Sequence, residues 1–158
     1  REVWVCKRRG KETEHNGMPC VNNSFYKLQY DWRKESGELL ETLRQRGCKV
    51  AIVSNKPHGA ACELAERFFP GVPTFGESPE TPRKPAPDMV NDALAALGAD
   101  KSRAVYVGDS EVDIETARNA GIPCISVTWG FRDREQLVEA KATELAADAG
   151  ELHALLEK

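Results

Sequence analysis

Val105-Tyr-Val-Gly-Asp-Ser-Glu-Val-Asp113 is the stretch that decides how this chain folds. A short apolar run, Ala104–Val107, leads into Gly108 and then into two carboxylates, Asp109 and Asp113. The run reads as a buried strand, and Gly108 permits a tight exit from it. A helix beginning near Glu111 puts Asp109 at the strand end and Asp113 in the first helical turn. Both carboxylates then point into one crevice at the carboxyl edge of a sheet, where open α/β sheets bind their ligands. Hard divalent cations such as magnesium take oxygen ligands, typically one or two carboxylates completed by phosphate and water. The pair therefore predicts a metal held beside a phosphate.

Outward from that stretch, strand and helix patterns alternate. On the N-terminal side, Leu39, Leu40 and Leu43 recur at helical spacing within Glu35–Arg46, and Gly47 is a stop signal. Cys48–Val53 is a continuous apolar run and reads as a buried parallel strand. Pro57 suits the first turn of a helix over His58–Phe69. The stretch from Pro70 to Pro82 is broken by Pro and Gly and reads as loop, with one short strand near Thr74-Phe75. Helix Asp88–Leu97 stops at Gly98, and strand Arg103–Val107 precedes helix Glu111–Ala120, stopped by Gly121. Beyond it come strand Ile122–Thr128, helix Arg132–Ala140, a short strand over Thr143–Ala147 and a last helix over Glu151–Glu157. This alternation predicts a parallel sheet covered by helices.

The 158 residues suit one domain with a sizeable core, and 41% hydrophobic with 30% charged residues is ordinary for a globular protein. Charge is uneven: residues 1–34 carry a balance of +4 and residues 35–158 a balance of −7. The first segment also holds five of the eleven aromatics, so a boundary is expected near residue 34, with an atypical N-terminal segment (1–34) ahead of the core (35–158). No run of about 18 apolar residues predicts a membrane span, and no basic face predicts nucleic acid. The N-terminal residues do not read as a signal peptide. The five cysteines are odd in number and form no Cys-x-x-Cys pair, which fits a reducing cytoplasm. Cys6, His15 and Cys20 lack a recognised zinc spacing and a fourth ligand.

Three clusters fall at the ends of apolar runs or in the loops after them. Ser54-Asn55-Lys56 lies between a strand and a helix, where a hydroxyl and open backbone N–H groups cradle phosphate as readily as they cap a helix. In Arg83-Lys84-Pro85-Ala86-Pro87-Asp88, two prolines hold the backbone after Lys84, whose ammonium can then neutralise a phosphate and a carboxylate together. The third cluster is Gly108-Asp109-Ser110-x-x-Asp113, whose plainer reading is a capped helix with carboxylates at its positive end.

Their order and spacing are more specific than any one of them. Val50–Lys56, Arg83–Asp88 and Val105–Ile114 resemble the second, third and fourth motifs of the haloacid dehalogenase (HAD) superfamily of phosphatases. Ala120–Arg134 resembles its phosphoglycolate phosphatase branch. The resemblance covers residues 36–158. It implies a Rossmann-like core and magnesium-dependent phosphoryl transfer through an aspartyl-phosphate. It further implies that Ser54 binds the transferring phosphoryl group with Asn55 beside it, and that Lys84 balances charge on phosphate and nucleophile. Asp109 is implied to bind Mg2+, with Asp113 supporting it directly or through water. The implied partner is a small phosphorylated metabolite. A two-component receiver domain also joins acidic ligands to a parallel sheet, but here the acidic pair sits late in the chain and the lysine precedes it.

The N-terminal part departs from that pattern. The family's Asp-x-Asp-x-Thr motif, at the end of its first strand, supplies the nucleophile and the general acid/base. Before Asp88 this chain has one aspartate, Asp31, and no Asp-x-Asp. Only 53 residues precede Ser54, too few for the family's helical cap domain. Three readings stay open: a C-terminal piece whose nucleophile and cap are lost or replaced, a natural non-catalytic relative, or an unfamiliar role for Asp31. The expectation is a HAD core lacking its usual first strand and cap, inactive or impaired as a phosphatase. Its alternative is a non-catalytic phosphate- or metal-binding or interaction module on the same fold. A missing strand would expose sheet edges. Val3-Trp4-Val5, Ser24–Tyr30 or a second copy of the chain are the candidates to cover them. Trp129 and Phe131 are expected to pack against a helix, and Arg132 and Arg134 to be solvated.

Overall fold

The computed structural model describes residues 2–5, 14–15, 18–19 and 32–157. Six parallel strands form the sheet: β1 (Glu2–Val5), β4 (Val50–Pro57), β5 (Thr74–Glu77), β6 (Ala104–Gly108), β7 (Cys124–Val127) and β8 (Glu144–Ala146), in the order β5-β4-β1-β6-β7-β8. A small antiparallel pair, β2 (Glu14–His15) and β3 (Met18–Pro19), stands apart from it. The helices are α1 (Trp32–Gln45), α2 (His58–Phe68), α3 (Asp88–Leu97), α4 (Glu111–Ala120), α5 (Arg134–Glu139) and α6 (Ala149–Leu156).

The inner strands are mostly apolar because both faces of the sheet are covered: β6 is buried at every position and β4 from Val50 to Ser54. Side chains alternate between the faces. Ala104 and Tyr106 of β6, with Ala51 and Val53 of β4, pack against Met89, Val90 and Leu94 of α3, Ile114 and Ala117 of α4, and Leu137 of α5. Val105 and Val107 face the other way, toward Leu43 of α1 and Leu152 and Leu156 of α6. Val50 and Ile52 join that second side through Leu40 of α1 and Ala65 of α2. Burying a Val or Ile side chain contributes roughly 1.5–3 kcal/mol, so the alternating runs specify strand register strongly. Gly98 and Gly121 end α3 and α4 in the left-handed conformation, with φ of 57° and 72°, as expected of glycine after the last helical residue.

One expectation is corrected. The sheet does not lack its central strand: β1 lies parallel between β4 and β6, with Val3 opposite both Val50 and Val105. Val3-Trp4-Val5 is β-branched and aromatic, a composition that suits a pleated slot between two strands. Both open edges that its absence would leave are closed, and the outer edges are β5 and β8. Ser24–Tyr30, the other candidate strand, lies outside the described residues. The strand after Gly47 also runs further than expected. It continues through Ser54, Asn55 and Lys56 to Pro57, with a register shift against β5 between Ser54 and Pro57. No described helix is long and apolar enough to cross a membrane.

Candidate active site

The carboxyl ends of β4 and β6 and the loop before α3 bring Ser54, Asn55, Lys84, Asp109 and Asp113 to one side of the sheet. Asp113 is the hub. It is 1% exposed, and both of its oxygens take donors. Oδ1 accepts from Lys84 Nζ at 2.7 Å and Tyr106 Oη at 3.2 Å. Oδ2 accepts from Ser110 Oγ at 2.6 Å and the Asp109 N–H at 3.2 Å. Lys84 Nζ also donates to Tyr106 Oη at 3.3 Å. Burying a lysine and a carboxylate is tolerable only with such pairing and further hydrogen bonds.

Gly108 has a different reason from the one the sequence indicated. A Cβ there would lie 2.2 Å from Asp113 Cβ. The glycine is needed for the close approach of the first turn of α4 to the end of β6.

Asp109 differs from Asp113 in one respect. Its Oδ2 accepts the Phe131 N–H at 3.0 Å, whereas its Oδ1 is buried with no hydrogen-bond partner. Burial first, then the negative charge of Asp113, pushes its carboxyl up to about 6, while the Phe131 N–H and Lys84 pull it back. A cation would relieve both the burial cost and the repulsion, so this carboxylate pair fits a divalent metal. No group of three or more His, Cys, Asp or Glu gathers among the described residues. A divalent ion held here by carboxylate alone would need water or phosphate oxygens to complete its coordination, as Mg2+ commonly does. Asp113, with both oxygens engaged by protein donors, would serve such a site by holding the Lys84 ammonium and the Asp109 backbone in place.

Ser54 is 7% exposed, and its Oγ accepts the Lys56 N–H at 3.2 Å. A hydroxyl accepting there still has its own proton to donate. Asn55, expected beside the phosphate, works as a brace. Its Nδ2 donates to the Lys84 carbonyl at 3.1 Å and its Oδ1 accepts the Lys84 N–H at 2.7 Å. Asn119 Nδ2 holds the next carbonyl, Pro85 O, at 2.8 Å. The Lys84 loop is thereby fixed from β4 and from α4.

Several residues of the site were not legible from spacing. Tyr106 looked like one more apolar strand residue, yet it is fully buried and joins Lys84 to Asp113. The available signal was a tyrosine within an aliphatic run, since a buried phenol needs a partner. Trp129 packs on the core as expected. Phe131 does not: it is 43% exposed. Arg132 is not simply solvated, because its guanidinium pairs with Glu111 through two hydrogen bonds of 2.8 and 2.6 Å. Burial and Asp113 push the Cys124 thiol up to about 12, so it carries no nucleophilic thiolate at neutral pH. A cavity of about 220 Å³ beside α2, lined by His58, Phe75, Gly76, Ser78, Thr81 and Asp92, shares no residue with this cluster.

A parallel sheet flanked by helices, with serine, lysine and two aspartates near its carboxyl edge, defines an α/β domain of Rossmann-like architecture. The haloacid dehalogenase-like hydrolase family model matches residues 19–121, more than half of the chain, and the chain belongs to that family. It is similar to the phosphoglycolate phosphatase of Rhodobacter capsulatus, with 42% identity over 99 residues covering 59% of this chain and 43% of that protein. It is also similar to that of Rhodospirillum rubrum, with 32% identity over 117 residues covering 72% of this chain and 48% of the relative. The chain thus spans less than half the length of these two curated relatives. Among solved structures, a protein of Lactobacillus delbrueckii subsp. bulgaricus superposes with a TM-score of 0.75 at 42% identity, covering 77% of this chain and 52% of that one. A haloacid dehalogenase-like family protein of Streptococcus pneumoniae superposes with a TM-score of 0.66 at 27% identity, covering 75% and 56%.

Proposed function

We propose that this chain carries the phosphate- and magnesium-binding part of a phosphatase site for a small phosphomonoester of the phosphoglycolate type. The observation that carries the reading is the asymmetry of the two aspartates: Asp113 has both oxygens engaged, while the buried Asp109 Oδ1 has no donor. In this reading the Ser54 hydroxyl and the backbone N–H groups entering α2 receive phosphate oxygens. Lys84, held in place by Asn55 and Asp113, sets its ammonium against the phosphate charge. Mg2+ bound at Asp109 would withdraw negative charge from a phosphoryl oxygen. Preorganised charges of this kind are usually the largest contribution to stabilising such a transferring group.

The nucleophile is the weak part of the site. After β1 the sequence reads Cys6-Lys7-Arg8, and Asp31 is the one aspartate before Asp88. Cys6, Lys7 and Asp31 lie outside the described residues. Covalent carboxylate catalysis requires that carboxylate in place. The 158-residue chain by itself is therefore proposed to bind phosphate with Mg2+ and to turn over phosphomonoesters slowly or not at all. The test is calorimetric titration with inorganic phosphate, with and without Mg2+, beside turnover of an aryl phosphate and of phosphoglycolate. Mg2+-dependent phosphate binding lost in Asp109→Asn is the expected result. Efficient turnover abolished by Asp31→Asn would refute the impaired reading and make Asp31 the nucleophile. Phosphate binding indifferent to Mg2+ and to Asp109 would refute the site.

A further inference from the structure

We propose that the loop Trp129–Arg132 is a clamp that fixes Asp109 and determines which of its two oxygens meets a divalent cation, with Gly130 and Arg132 as positioning residues. The inference rests on the reading of Asp109 as a metal ligand and adds what orients it. Two successive backbone amides of the loop close on the same residue. The Phe131 N–H donates to Asp109 Oδ2 at 3.0 Å, and the Arg132 N–H donates to the Asp109 carbonyl at 3.1 Å. One carboxylate oxygen is thereby occupied, and the other, Oδ1, is left buried without a donor.

Such a close approach requires a glycine. A Cβ at position 130 would lie 2.2 Å from Asp109 Cβ and 2.4 Å from its Oδ2. The loop is held at both ends. Trp129 packs on the core at the face of the sheet that carries Val105 and Val107. Arg132 spans to the first turn of α4, where its Nε and Nη2 pair with the two oxygens of Glu111, and its guanidinium lies 4.7 Å from the Phe131 ring centroid. A planar guanidinium gripping a carboxylate with two bonds fixes orientation as well as proximity. Glu111 and Asp113 share a helical turn, so the latch ties the loop to the element that carries the other aspartate. Groups that orient metal ligands without touching the metal typically change affinity 10–100-fold when altered.

Arg132→Gln separates the clamp from simple electrostatics. Removing a positive charge near a cation site should tighten Mg2+ binding by Coulomb's law. Loss of the latch should weaken it. Binding of Mg2+ by calorimetry, and of Mn2+ by electron paramagnetic resonance, would be measured for the unaltered chain, Arg132→Gln, Arg132→Lys and Gly130→Ala. Metal-free Tm would be followed for each, and Gly37→Ala in α1, whose Cβ meets nothing within 4 Å, serves as the control. The expected result is a Kd raised about tenfold in Gly130→Ala and in both Arg132 variants, with Gly37→Ala unchanged. Arg132→Lys keeps the charge but not the two-bond grip, so a similar rise there confirms that geometry matters. Unchanged or tighter binding in Arg132→Gln overturns the clamp, as does unchanged binding in a folded Gly130→Ala. If Gly130→Ala does not fold, the two Arg132 variants decide alone. Failure of the unaltered chain to bind either metal overturns the metal reading itself, and the clamp with it.

Discussion

Asp113→Ala should be the most damaging single side-chain truncation in the site. Asp113 is 1% exposed and accepts from Lys84, Tyr106, Ser110 and the Asp109 backbone. Truncation leaves the Lys84 ammonium, itself in a residue only 8% exposed, without its carboxylate at 2.7 Å. Breaking a buried ion pair from one side costs about 3–5 kcal/mol, chiefly because a charge is left uncompensated. Domains of this size are stable by about 5–15 kcal/mol. A loss of about 4 kcal/mol, at about 2–4 °C per kcal/mol, lowers Tm by about 8–16 °C. Urea unfolding followed by far-ultraviolet circular dichroism would read the loss as a lower midpoint with an unchanged slope. Replacing both partners, Lys84→Met with Asp113→Leu, should recover most of the stability, because apolar groups of similar volume often substitute for a buried pair without loss. A cost below about 1 kcal/mol for Asp113→Ala, or a double variant no more stable than the single one, would refute the hub.

The acid–base behaviour of Asp109 gives a second prediction. Its carboxyl moves from 3.8 to about 6 on folding. Below pH about 4 it is protonated in both the folded and unfolded chain, and above about 6 it is ionised in both. Between these limits the folded chain holds the proton more tightly, so the metal-free protein should lose about 3 kcal/mol of stability as pH rises through that window. Asp109→Asn should remove this loss, raising metal-free stability at pH 8 by up to about 3 kcal/mol while abolishing divalent binding. A flat difference between variant and unaltered chain from pH 4 to 8 would refute it. Gly108→Ala, which forces a Cβ to within 2.2 Å of Asp113 Cβ, should cost about 1–3 kcal/mol or more, measured by the same urea titration. Asn55→Ala should cost about 1–3 kcal/mol by leaving the Lys84 backbone unpaired. It should also weaken phosphate binding at Mg2+ concentrations where the unaltered chain binds.

Periodicity carried most of the architecture. Asp88–Leu97 and Glu111–Ala120 are helices over the ranges read from their apolar spacing and terminal glycines, because those signals are local: a stripe at helical period, then a residue that tolerates positive φ. The strands at β6 and β7 were equally visible as apolar runs. Helix α5 began later than read, at Arg134, because Asp133 and Gln136 form a reciprocal cap there. The sequence also marked Ser54, Lys84, Asp109 and Asp113, since chemistry-bearing residues cluster where strands end. What spacing could not settle was which partner each of them has.

The amino-acid sequence by itself determined the alternating α/β plan, both faces of the sheet and the membership of the four polar residues in one edge. Those properties follow from hydrophobic period and from strand ends, both of which are read within a few residues. Tertiary structure alone decided that Glu2–Val5 fills the slot between β4 and β6, because a four-residue strand is specified by its two neighbours rather than by its own pattern. It alone decided that Asn55 grips Lys84, 29 residues away, and that Phe131 grips Asp109, 22 residues away. It alone divided the two aspartates into one with both oxygens engaged and one whose buried Oδ1 has no hydrogen-bond partner. Hydrogen bonds between loops are set by how strands and helices pack, and no local pattern of residues encodes them.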